Sequence, residues 1–247
     1  MKVVLLGGTK GIGRALARAM VGKGIEVFLV GRDETDVARS ARDLEVRANR
    51  PANSIGSAVC DLAKPDTFAP GLDAAERVLG GLDVVVVTAG LFATQDKLEA
   101  DLAFTGRMLD ANFTGTLLFC EEARKRLLAR GGGTLCVFSS VAGERVRKPV
   151  ILYGAAKAGL SHYLEGLDHK FHAQGLKVIT VKPGFVKTAM TAGLPVPPFA
   201  GTPEGVAKSV LAALERGRPV VYVPRIWGLI MLVIRLLPRF VMRKISF

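Results

Sequence analysis

Tyr153 and Lys157 stand four residues apart in a stretch of helical periodicity, so both side chains leave the same face of a helix. The pairing has chemical use. An ammonium beside a phenol favours phenolate, and it draws a group that titrates at about 10 toward working pH. A phenol tuned in this way can protonate a carbonyl oxygen while hydride arrives at the carbon, and it can take the proton back in the reverse direction. Ser140 precedes Tyr153 at the end of a predicted strand, where its hydroxyl can hydrogen-bond the same substrate oxygen.

A second group of residues lies at the other end of the chain. The apolar run Lys2–Leu6 enters Gly7, Gly8, Thr9, Lys10, Gly11, Ile12 and Gly13, after which Ala15, Leu16, Ala17 and Ala19 continue as a helix. Strand, tight glycine turn and helix N-terminus together suit a dinucleotide pyrophosphate, which needs close backbone approach and unpaired N–H groups. Gly7, Thr9, Lys10, Gly11, Ile12 and Gly13 are therefore expected cofactor contacts, although an ordinary tight turn has the same glycines. The end of the second strand discriminates further. It reads Gly31–Arg32, where an NAD site usually places an acid for the ribose hydroxyls. An arginine fork at Arg32, with Lys10 nearby, suits a 2′-phosphate and predicts NADP(H), unless both are solvated surface charges. Asp61 and Leu62 follow the third strand, where Asp61 either meets the adenine edge or caps the next helix.

The elements that must position these groups are short β-branched runs alternating with helical patterns. Lys2–Leu6, Glu26–Val30, Ser57–Cys60, Asp83–Thr88, Thr134–Ser139, Lys177–Lys182 and Val220–Val223 read as strands. Their nearly continuous Val, Leu and Ile content predicts a Rossmann-type α/β fold: a doubly wound sheet of about seven parallel strands with helices on both faces. Residues 1–224 form one predicted catalytic domain and residues 225–247 an extension. Gly193 to Pro203 reads as a loop or flap, and Thr202–Pro203 as a helix start. Cys60, Cys120 and Cys136 lack ligand spacing and are expected as reduced core residues, while His162, His169 and His172 read as surface residues, so no metal is expected.

At this point the chain resembles the short-chain dehydrogenase/reductase family over nearly its whole length. Gly7, Gly11 and Gly13 match its GxxxGxG, Ala89 and Gly90 part of its NAG, Asn112 its lone helix asparagine, and Ser140, Tyr153 and Lys157 its catalytic trio. Pro183, Gly184, Val186 and Thr188 fall in its PGxxxT. The resemblance implies that Ser140 orients a carbonyl, Tyr153 donates the proton, Lys157 also holds the nicotinamide ribose, Asn112 anchors a relaying water and Thr188 contacts the nicotinamide amide. Two positions depart from the family pattern. Leu6 stands where many members have threonine and Thr88 replaces the asparagine of NAG, and both are expected to alter strand packing rather than catalysis.

A net charge of +12 implies an anionic partner. Without zinc-finger spacing, an RNP-like strand or basic runs interleaved with aromatics, nucleic acid is not expected. The start of the chain does not fit a signal peptide, which predicts a cytoplasmic protein. Residues 225–247 carry Ile226, Trp227 and an apolar run with no acid. Arg235 interrupts the run and Pro238 should end its helix, so it is too short to span a bilayer. If the helix persists past Pro238, Arg235, Arg239 and Arg243 fall on one side, the pattern of a helix lying on an anionic membrane with Trp227 in the acyl boundary. The same segment suits a contact in a homo-oligomer. Arg145, Arg147 and Lys148 lie between Ser140 and Tyr153 and could grip a phosphate, or be solvated loop charge.

Two short segments, Ser139–Ser140 with Ala142 to Arg147 and Pro238–Arg239 with Arg243–Lys244, are similar to a decaprenylphosphoryl-2-keto-ribose reductase-like branch of the family. That similarity implies a keto-sugar on a polyprenyl phosphate as substrate. A 3-ketoacyl, 3-ketosphinganine or steroid-type ketone reductase fits the catalytic residues equally, and a non-catalytic NADP sensor would have no need of a proton donor.

Overall fold

A computed structural model describes residues 1–245. Seven strands form a single parallel sheet in the order β3-β2-β1-β4-β5-β6-β7. They are β1 (Lys2–Leu6), β2 (Glu26–Gly31), β3 (Ser57–Val59), β4 (Val84–Val87), β5 (Gly133–Phe138), β6 (Leu176–Pro183) and β7 (Val220–Val223). The expected doubly wound fold is present, with the sheet running out to β3 on one side of β1 and to β7 on the other.

The pleat explains how continuous apolar strands serve two cores. Val3 and Leu5 of β1 and Val84 and Val86 of β4 face a layer made by α1 (Gly11–Gly22), α2 (Glu34–Arg47) and α8 (Pro203–Arg216). Val4, Leu6, Val85 and Val87 face the opposite layer of α3 (Phe68–Leu79), α6 (Gly115–Ala129) and α7 (Ile151–Phe171). Each such side chain is removed from water, worth about 1.5–3 kcal/mol apiece. The helices begin where the chain supplies caps: Asp33 accepts from the Asp36 N–H at 2.8 Å, and Thr202 from the Gly205 N–H at 3.1 Å ahead of Pro203. Cys60, Cys120 and Cys136 are buried free thiols.

Strand order reverses between β1 and β4, the place where an open parallel sheet leaves a crevice at its carboxyl edge. Between β4 and α6 lie α4 (Gln95–Ala100), α5 (Leu102–Leu109) and a wide π-type turn, Asp110–Thr114. Such turns open a helix where a side chain must be placed inward, and this one buries Asn112 completely.

The C-terminal extension corrects one expectation. α9 (Ile226–Leu236) ends at Leu237, whose backbone is extended, and Pro238 precedes the separate helix α10 (Arg239–Lys244). The helix does not persist through the proline, so Arg235, Arg239 and Arg243 do not form one stripe. Among the described residues no helix is long and apolar enough to cross a membrane.

Candidate active site

Tyr153 and Lys157 occupy the first two turns of α7, and Ser140 follows β5 at the carboxyl edge of the sheet. The adjacent serines divide their tasks. Ser139 is buried and spent on α7, donating to the Lys157 carbonyl at 3.0 Å and lying 2.7 Å from the Ser161 hydroxyl. Ser140 remains half-buried at the cleft, its hydroxyl accepting from the Ala142 N–H at 3.1 Å and lying 3.5 Å from the Pro183 carbonyl. The Tyr153 ring packs edge-on against Phe92 at 5.0 Å between centroids. Phe92 was missed by sequence reasoning, because a single aromatic after a strand carries no periodic signal.

Burial pushes the Tyr153 phenol up to about 12 and draws the Lys157 ammonium down to about 8. At the phenol, the Ser140 hydroxyl and then the Arg147 guanidinium oppose the rise. Lys157 is otherwise engaged. Its Nζ donates to the Phe138 carbonyl at 2.9 Å and sits 6.0 Å from the centre of the Tyr153 ring. The expectation that the lysine draws the phenol toward working pH is therefore corrected: the phenol stays protonated, and the groups favouring phenolate are Ser140 and Arg147.

Asn112 spends its side chain on Leu91, accepting from the Leu91 N–H at 2.8 Å and donating to its carbonyl at 2.6 Å. This clamp fixes the chain after β4 beside Lys157, with Gly90 lying between the two side chains.

The glycine turn meets the other predicted cofactor residues across the crevice. Gly13 is a packing position: a Cβ there would fall 2.1 Å from the Gly7 carbonyl oxygen and 2.6 Å from Thr88 Oγ1. Gly11 has φ +50, and a side chain on it would begin 3.5 Å from the Thr188 methyl. The Thr188 hydroxyl accepts from the Thr191 N–H, which leaves its own proton free to donate. Thr88 Oγ1 donates to the Leu6 carbonyl at 3.1 Å, so the departure from the family pattern braces β1 against β4. Ala89 and Gly90 line the carboxyl end of β4, and Thr9 and Ile12 are half-buried in the turn.

The cradle of glycine turn and helix N-terminus suits a pyrophosphate, and the end of β2 presents Arg32 beside it. Arg32 is exposed there, and the nearest acid, Asp33, is committed to capping α2. Lys10 is paired with Asp36 at 3.0 Å, which holds its ammonium near the start of α2. Asp61 accepts from the Ala63 N–H at 3.1 Å, so it caps its own turn. Leu62 and Val186 put their side chains into the two cores, which leaves only their backbones for a cofactor.

The loop before Tyr153 is held by the C-terminal extension. Arg145 donates to the Leu237 carbonyl at 2.7 Å and Lys148 to the Arg243 carbonyl at 2.7 Å. Glu144 is buried between Lys182 and Arg235, the latter at 3.1 Å. The three-cation grip expected here is thus reduced to Arg147, since the other two are spent on backbone. Trp227 also departs from its expected place in an acyl layer. It lies on Gly184, where a Cβ would fall 2.2 Å from its Nε1, and it donates to the Phe199 carbonyl at 3.3 Å. The lone acid among the cations of residues 144–148 was the signal that this loop had an internal partner.

The model of the short chain dehydrogenase family matches residues 1–196. An uncharacterised oxidoreductase of Mycobacterium tuberculosis is 34% identical over 98% of this chain and 96% of its own length, and one of Streptomyces coelicolor is 30% identical over 98% and 95%. A short-chain type dehydrogenase/reductase of Mycobacterium ulcerans superposes with a TM-score of 0.79 at 26% identity, covering 90% of this chain and 87% of that one. An actinorhodin polyketide ketoreductase solved with NADPH shares the fold, with a TM-score of 0.79 at 23% identity over 90% and 95%. With its catalytic trio, glycine turn and sheet order joined to these likenesses, the chain belongs to the short-chain dehydrogenase/reductase family of oxidoreductases.

Proposed function

We propose that this chain is an NADPH-dependent carbonyl reductase acting on a membrane-held keto substrate such as a polyprenylphosphoryl keto-sugar. The observation that carries the reductive reading is the Tyr153 phenol placed with the Ser140 hydroxyl at the carboxyl edge of the sheet, where burial favours the protonated phenol. An acid is what a carbonyl oxygen needs as it gains charge. When bound, the nicotinamide supplies the hydride. Ser140 orients the carbonyl by donating to its oxygen, and Tyr153 delivers the phenolic proton to that oxygen as the C–O double bond is lost. Ser140 and Arg147 favour the phenolate left behind, and Lys157, still charged below about pH 8, gives it a route to a new proton.

The NADPH preference rests on Arg32, with Lys10 behind it. Removing both charges (Arg32→Ala with Lys10→Ala) raises KM for NADPH by about 10–100-fold, the worth of charge-assisted hydrogen bonds of roughly 1.5–3 kcal/mol, and hardly moves KM for NADH. Steady-state kinetics with both nucleotides checks this. Equal kcat/KM for NADH and NADPH in the unaltered protein would sink the preference.

The membrane part rests on the outer face of the extension. Leu229, Leu232, Val233, Leu236 and Phe240 are exposed together, as is Phe199 of the flap that Trp227 binds. Arg225, Arg239 and Arg243 are exposed among them, and cations of this kind add about 1 kcal/mol each at an anionic surface. Leu232→Asp with Leu236→Asp weakens binding to phosphatidylglycerol vesicles at least tenfold by flotation, on the order of the apolar area lost, and spares kcat on a soluble ketone. Unchanged vesicle binding defeats this part, and a dimer that the same variant dissociates assigns the face to a second subunit.

A further inference from the structure

Among the described residues two arginines have an enclosed Nε with no hydrogen-bond partner, and their surroundings differ sharply. Arg126 is otherwise saturated, reaching Asp73, Glu76, Glu122 and the Ala69 carbonyl. Arg147 differs: among the described residues its enclosed Nε has no acceptor and its guanidinium joins no ion pair. Its neighbours in the loop are all engaged, Arg145 and Lys148 on the carbonyls of the extension and Glu144 between Lys182 and Arg235. The carboxylate that could have neutralised Arg147 is thus already bound twice.

Enclosing a cation without an acceptor is costly. Burial pulls the Arg147 guanidinium below its ordinary range, and the only group acting in the other direction is the Tyr153 phenol. Arg147 also sits at a fixed point of the chain, immediately before the short turn Lys148–Val150 that leads into α7 and to Tyr153. A planar fork with five donors matches a carboxylate or a phosphate bidentately.

Resting on the carbonyl-reductase reading above, we propose that Arg147 receives an anionic group of the substrate, a carboxylate or phosphate placed a few atoms from the keto carbon. A neutral ketone leaves the fork empty.

The test uses matched probes on the full-length protein: dihydroxyacetone phosphate against dihydroxyacetone, and acetoacetate against methyl acetoacetate. Titration calorimetry with NADPH present gives affinity, and NADPH oxidation gives kcat/KM. The unaltered protein is expected to bind the anionic member about 10–100-fold more tightly, the range for a hydrogen bond to a charged group. Arg147→Gln lowers that preference to nearly none without changing affinity for the neutral member, and Arg147→Lys recovers part of it. Lack of any preference in the unaltered protein, or its survival in Arg147→Gln, overturns the proposal. If the anionic probes bind through Arg147 but no carbonyl is turned over with either nucleotide, the anion site stands and the reductase reading fails. Phosphatidylglycerol vesicles form the last arm: loss of vesicle binding in Arg147→Gln with dihydroxyacetone phosphate binding unchanged assigns the fork to a headgroup and overturns the substrate assignment.

Discussion

Replacing Tyr153 with phenylalanine cuts kcat/KM for carbonyl reduction by about 10²–10⁴-fold, the range expected when a positioned acid is removed, and leaves NADPH affinity nearly unchanged. The variant keeps the ring that packs on Phe92 at 5.0 Å, so the fold and the mouth of the cleft survive. What it loses is the phenolic proton. Ser140 cannot substitute, because its hydroxyl is a hydrogen-bonding group here and its neighbours offer no base: the Ala142 N–H and the Pro183 carbonyl are both backbone. The measurement is single-turnover NADPH oxidation beside fluorescence titration of the nucleotide. A Phe variant retaining more than a tenth of the rate would remove the phenol from the mechanism.

The residues that carry this chemistry were legible in the sequence because each belongs to a local pattern. A helical spacing of four pairs Tyr153 with Lys157, a strand end presents Ser140, and a glycine turn follows β1. Continuous Val and Leu runs gave the central strands, since a strand covered on both faces has no polar alternation to hide it, whereas β3 is a half-exposed Ser-Ala-Val edge. What local pattern could not give was partners far along the chain. Arg145 meets Leu237 and Lys148 meets Arg243, each across more than ninety residues, so their positive charge was visible and the carbonyls that accept from them were not. The roles within the glycine turn were hidden for a related reason. Gly13 is needed against Gly7 and Thr88, a contact between the turn and β4 that only the sheet order creates. Tyr153 and Lys157 were also expected to act on each other directly. The buried Phe138 carbonyl at the end of β5 captures the ammonium instead.

That capture yields the second large effect. Lys157→Met lowers kcat for reduction by about 10²–10⁴-fold, yet at pH 7 the variant is at least as stable as the unaltered protein. The reason is the sign of the linkage. Lys157 titrates at about 8 in the folded chain against 10.5 when solvated. Between those values the unfolded chain binds more protons, so stability rises with pH across that window. Below pH 8 the folded protein carries the full cost of a buried ammonium, roughly 3 kcal/mol from the shift. Only the hydrogen bond to the Phe138 carbonyl, worth about 1.5–3 kcal/mol for a charged donor, opposes the methionine. Denaturant unfolding at pH 7 and pH 10 checks the claim: the unaltered protein gains stability over that interval relative to Lys157→Met. The same titration shapes activity, since reduction slows as pH rises through about 8 and the ammonium that returns a proton to the phenolate discharges, while Tyr153 stays protonated to about 12. A rate that is flat to pH 10, or a stability difference between the two proteins that does not change with pH, would place the lysine's proton outside the mechanism.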